Sequence, residues 1–168
     1  VRHFHGALKA ICDAHHPGYW GRFKPWCDEY FRNLHRDGEA RGCGGIFFDH
    51  IRPVTDEGGL DRPALQAFVG DVGRSLRSAY APIVERRRGE ASTAEERDFQ
   101  LYRRGRYVEF NLVHDRGTIF GLQTNARIES VLMSLPPLAS WLYAPVWAEG
   151  SFQARLQGML GARSWVEE

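Results

Sequence analysis

The sequence predicts an α+β fold with an antiparallel sheet, and three observations carry that prediction. Apolar residues recur at helical spacing through the first part of the chain, interrupted at Pro17-Gly18 and Asp37-Gly38. The stretch 103–124 reads with a period of two instead, because Val108, Phe110 and Leu112 alternate with Glu109, Asn111 and Val113. Asp115-Arg116-Gly117-Thr118 then supplies turn chemistry, and Ile119, Phe120 and Leu122 start a return strand. Helix, strand, helix, helix and then adjacent strands is the order of an α+β domain.

The elements follow in order. Phe4, Ala7, Leu8, Ile11 and Cys12 stripe a helix over 3–16. Phe23, Trp26, Cys27, Tyr30, Phe31 and Leu34 stripe a second, ended by Asp37-Gly38, and this aromatic line reads as core. Arg41-Gly42-Cys43-Gly44-Gly45 feeds a short strand at Ile46-Phe47-Phe48-Asp49, with glycines that permit a bulge or a close approach. Their spacing is not that of a dinucleotide fingerprint. Asp61 caps a long helix whose buried stripe is Leu65, Phe68, Val69, Val72, Leu76, Ala79 and Tyr80, and Pro82 should kink or restart it. Thr93-Ala94-Glu95-Glu96 fits a capping box for a helix running towards Tyr102. Glu129 to Leu135 fits either strand or helix, and Pro136-Pro137 favours a strand stopped early. A short helix around Phe152 to Leu160 ends at Gly161.

A length of 168 residues favours a single domain able to bury a core. A formal net charge of +1 argues against nucleic acid or a membrane surface as partner. No apolar run reaches membrane-spanning length. Cys12, Cys27 and Cys43 are odd in number and lack a C-x-x-C pair, so they read as buried thiols of a reducing, cytoplasmic setting. The first residues show neither an initiator Met nor a signal peptide, so the chain is expected to begin inside a longer protein. Four arginines and two acids decorate the hairpin, where a ligand-binding rim competes with plain solvated charge.

Longer blocks carry a resemblance. Trp26 to Phe31, Arg41 to Asp49, Arg103 to Gly121, Arg127 to Pro136 and the closing Arg163-Ser164-Trp165-Val166 closely resemble the oxygen-dependent coproporphyrinogen III oxidases, and specifically their C-terminal part. The resemblance implies a large antiparallel β-sheet flanked by α-helices, a homodimer, and dimer contacts in the region running to about Trp141. It also implies a preceding segment with a glycine-rich motif and a histidine often assigned as proton donor. Three positions depart from the family pattern: Gly6, His50, and Asn125-Ala126 at the turn before Arg127.

The implied reaction converts two propionates of coproporphyrinogen III to vinyl groups with dioxygen as electron acceptor. It gives protoporphyrinogen IX in heme biosynthesis, with no further cofactor required. Such chemistry needs an anion near the pyrrole nitrogens and cations around the carboxylates. Asp115 is the candidate for the first role, since a carboxylate accepts N–H bonds and stabilises developing positive charge. Arg116, Arg127, Arg41 and Arg106 are candidates for binding propionate through the guanidinium fork, with at least one of them an ordinary ion pair. Asn125, Ala126 and Arg127 match the family's substrate-contact segment. His5 and His35 match positions described in bacterial relatives as ligands of a divalent metal, for which Mn suits. Other relatives work without metal. His3, His15 and His16 read as surface or local capping groups. The competing reading is a tetrapyrrole-binding or dimerising module without turnover. A histidine-metal hydrolase is a weak third reading, because no H-E-x-x-H or equivalent spacing occurs.

Overall fold

A computed structural model describes residues 1–53 and 60–166, which divide into two compact units. The first comprises Val1–Tyr30, Cys43–Glu90 and Ala162–Glu168. It is built on α1 (Arg2–His15), α2 (Tyr19–Tyr30) and α3 (Arg62–Arg87). Leu8, Cys12, Tyr19, Trp20, Phe23 and Phe68 form its core. Tyr19 and Phe23 lie 4.7 and 5.8 Å from the Phe68 ring, so α2 and α3 meet through aromatic contact. Burial of Cys12 pushes its thiol up to about 11, which leaves it an inert core group. Cys27 is buried as expected, whereas Cys43 is only half-buried.

Asp61 caps α3 by accepting from the Ala64 amide at 2.9 Å. The helix continues through Pro82 to Arg87 without the restart expected from that proline. The segment 46–49 is extended but belongs to no sheet. Its Phe47 amide donates to the Phe23 carbonyl at 3.1 Å, while the Phe47 ring stacks on Tyr30 at 4.5 Å. Its backbone therefore docks on α2 instead of pairing with a strand. Gly44 approaches the chain as glycine alone permits: φ is +77°, and a Cβ there would stand 2.7 Å from the Asp28 carboxylate.

The second unit comprises Phe31–Gly42 and Ala91–Gly161. It holds the strands β1 (Arg32–Asn33) and β2 (Glu39–Ala40), paired antiparallel, with a 3-10 turn at Leu34–Arg36 between them. Asp37 and Gly38 take the left-handed conformation that reverses the chain. The helices of this unit are α4 (Ala94–Val113), α5 (Arg116–Gln123), α6 (Ile128–Leu132) and α7 (Phe152–Gly158).

Two strand expectations are overturned here. The supposed hairpin over 108–122 is the end of α4 followed by α5, and 129–135 begins with α6. The reason lies in the helical spacing of Phe99, Tyr102, Arg106 and Phe110, all buried on one face of α4. Leu112 and Val113, which completed the apparent alternation, are exposed. The Thr93–Glu96 capping box is present, but the helix it opens runs well past Tyr102 to Val113. Gly105 lets the chain pass close to α4, since a Cβ there would lie 2.4 Å from the Ser140 carbonyl oxygen. Among the described residues β1 and β2 are the only paired strands.

Candidate active site

Asp115 is not in a β-turn. It is the N-cap of α5, and its carboxylate accepts from the Thr118 amide at 2.9 Å. The spacing Asp-x-x-Thr is thus a helix-start signal. Arg116 opens α5 and is exposed. At the far end of α5, Asn125 takes φ +54° and the Ala126 amide donates back to the Gly121 carbonyl at 3.1 Å. That is a Schellman closure with Asn in the left-handed position, a conformation Asn tolerates better than most residues. Arg127 then occupies the N-cap position of α6, exposed and without a side-chain capping bond. The α5–α6 pair is close, because a Cβ on Gly121 would stand 2.8 Å from Val131. The helix α5 therefore has Asp115 and Arg116 at one end and Asn125, Ala126 and Arg127 at the other. Among the described residues no ion pair joins Asp115 to Arg127.

The other two candidate arginines lie deeper. Arg106 is 1% exposed, paired with Glu109, and its guanidinium lies 4.5 Å from the Tyr102 ring centroid. Its charge is therefore engaged within the protein by the Glu109 carboxylate. Arg41 is half-buried over an aromatic cradle, 4.2 Å from Phe31, 5.0 Å from Tyr107 and 5.1 Å from Phe110.

A denser cluster surrounds Glu109. Arg36 binds it through both forks, Nε and Nη2 each at 2.7 Å. Arg106 approaches from beneath, and Trp141 Nε1 donates at 2.9 Å. His35 Nε2 lies 3.0 Å from the same carboxylate, and His35 Nδ1 lies 2.8 Å from His114 Nε2. With the carboxylate accepting from His35 Nε2–H, a neutral His35 accepts at Nδ1 from His114 Nε2–H. Burial would raise the Glu109 carboxyl, but hydrogen bonds from Arg36 and His35 and the charges of Arg106 and Arg36 pull it down to about 2. The same bond to Glu109 raises Arg36. The tight β1–β2 turn delivers these partners, and Asn33 ties it to α4 by donating to the Arg106 carbonyl at 3.1 Å. Sequence reading missed this cluster. Its one local sign was the three-residue spacing of Arg106 and Glu109, whereas Arg36 and His35 meet them only through folding.

The histidines proposed as metal ligands sit in different surroundings. His5 belongs to the first unit and is fully buried, with Phe4, Trp20 and Trp165 ring centroids 6.1 to 6.3 Å away. Burial and the charge of Lys24 lower its basicity, against a smaller opposing contribution from the Cys43 backbone. His35 belongs to the second unit. Among the described residues no group of three or more His, Cys, Asp or Glu side chains is able to hold a metal ion. The described residues therefore do not by themselves make up a divalent-metal site.

Comparison with known proteins decides the family. The family model for coproporphyrinogen III oxidase matches residues 1–165. This chain belongs to the coproporphyrinogen III oxidase family. Among curated relatives, the oxygen-dependent coproporphyrinogen-III oxidase of Francisella tularensis subsp. novicida (strain U112) is 47% identical over 165 residues, 98% of this chain. The chain spans 51% of that relative's length, about half. No helix among the described residues is long and apolar enough to cross a membrane.

Proposed function

We propose that this chain contributes the C-terminal part of an oxygen-dependent coproporphyrinogen III oxidase, an enzyme of heme biosynthesis that yields protoporphyrinogen IX. The observation that carries the reading is 47% identity, across 98% of the chain, to a relative of that name. In each half-reaction a propionate loses carbon dioxide and two hydrogens, and one dioxygen takes them up as hydrogen peroxide, leaving a vinyl group. Dioxygen is the only oxidant the reading asks for.

The protein's share of the work is electrostatic. Asp115 presents a carboxylate to the pyrrole N–H groups, stabilising the ring as its side arm is oxidised. Arg127 and Arg116 are exposed guanidinium groups suited to propionate, with Asn125 and Ala126 shaping the backbone beside Arg127. Arg41, on its aromatic cradle, is the more rigid candidate, and Arg106 acts by holding Glu109 in place. In this reading the large antiparallel sheet is formed with the remaining half of the family's length, and the enzyme works in the cytoplasm. A homodimer is supported by exposed apolar side chains on and beside α5 and α6, among them Phe120, Ile128 and Met133.

Anaerobic titration of the chain with coproporphyrinogen III tests the reading. Saturable binding is expected, weakened about tenfold or more by Arg127→Ala, the loss of one charge-assisted contact. Binding that is absent, or indifferent to Arg127, would count against the assignment.

A further inference from the structure

Helix α3 carries two apolar faces, and among the described residues of the first unit only one of them is covered. Phe68, Ser75 and Ala79 are buried, and α1 packs against the helix. The second face consists of Val69, Leu76, Tyr80 and Val84, which are 52%, 57%, 55% and 40% exposed. At the helical rotation of about 100° per residue, Val69, Leu76 and Tyr80 fall within a band about 40° wide. Val84 extends that band by about 40° more, and Gly73 lies inside it. The line from Val69 to Val84 is about 22 Å long at 1.5 Å per residue. One exposed leucine needs no explanation, whereas four apolar side chains in a row do. At Val69 the line runs into a groove of about 740 Å³, walled by Phe48, Ile51, Pro53 and Leu65 as well.

We infer that this seam on α3 is the docking surface for the half of a coproporphyrinogen oxidase that lies outside this chain, which meets it with an apolar face bordered by acidic groups. The inference rests on the family assignment, because it is the 51% coverage of the Francisella relative that leaves about half of the family's length to be placed. Charge identifies the character of the partner. The exposed Arg62 stands at one end of the seam and the exposed Arg77 beside it, while at the other end Arg87 is paired with Glu90 and Arg88 is exposed. By helical rotation Asp71 and Glu85 fall on other sides of α3. A second copy of the same seam would set arginine against arginine, whereas an acidic border on the partner complements it.

The test co-expresses this chain with a tagged polypeptide covering the unmatched part of the Francisella relative. Co-purification is expected, reduced tenfold or more by the double variant Leu76→Glu/Tyr80→Glu and unchanged by Ser78→Glu on a different side of the helix. Because the seam is exposed, the variants should keep the parent's circular dichroism and melting behaviour. Alkylation of Leu76→Cys, read by peptide mass spectrometry, provides a readout that does not depend on the glutamate variants. Its rate should fall at least tenfold when the partner polypeptide is present. Unchanged labelling, co-purification that ignores the glutamates, or no co-purification would overturn the inference. So would protection of Leu76→Cys in this chain alone that grows with its concentration, since that marks a second copy. Loss of the seam alone would leave the functional reading standing, because vinyl formation is measured separately.

Discussion

Replacing Asp115 with Asn is expected to lower vinyl formation by about a hundredfold or more, the usual contribution of a positioned acid–base group, while stability changes by less than about 0.5 kcal/mol. The pairing of those outcomes matters because Asp115 has a structural task as the N-cap of α5, accepting from the Thr118 amide. Asn caps a helix about as well as Asp, but it cannot present a negative charge to a pyrrole N–H. Asp115→Ala removes cap and carboxylate together and should cost about 1 kcal/mol in addition. Turnover by the assembled enzyme, set beside urea unfolding, separates the roles. Full activity in Asp115→Asn would reduce Asp115 to a cap.

The largest loss of stability is expected from Glu109→Gln, at about 3 kcal/mol. Arg106 is 1% exposed, and Glu109 is its near partner, with Glu39 standing off at 3.9 Å. Removing the carboxylate charge leaves a buried guanidinium poorly compensated, and it weakens the two-pronged bond from Arg36. The pH dependence has a definite sign. The folded carboxyl titrates at about 2 against an ordinary 4.5, so the stabilisation is fully present above about 4.5 and is lost as pH falls towards 2. Denaturant midpoints across that window should drop steeply in the parent and more shallowly in Glu109→Gln. Parallel curves would show that Glu109 is not the group responsible.

Legibility in the sequence followed the range of the interactions. The caps at Asp61 and Thr93 were readable because a cap is a contact over three residues, and both formed as read. The end of α4 was misread because its buried face includes Arg106, a charge that apolar periodicity discounts. With Arg106 removed from the helical stripe, Val108, Phe110 and Leu112 imitate a strand. Asp115 is legible as a chemical candidate but its setting is not, because the residues that suit a turn also suit a helix start, and here they start α5. The Glu109 cluster was out of reach. Arg36 and His35 lie more than seventy positions from Glu109 and join it only when β1 and β2 fold back on α4.

The most direct measurement is aerobic incubation of coproporphyrinogen III with this chain and the complementary half of its Francisella relative, followed by oxidation and mass spectrometry of the porphyrin. Porphyrin bearing two vinyl groups, formed with dioxygen and absent under nitrogen, is the predicted result. Recovery of the porphyrin with all four propionates intact from an assembled, substrate-binding complex in air would contradict it.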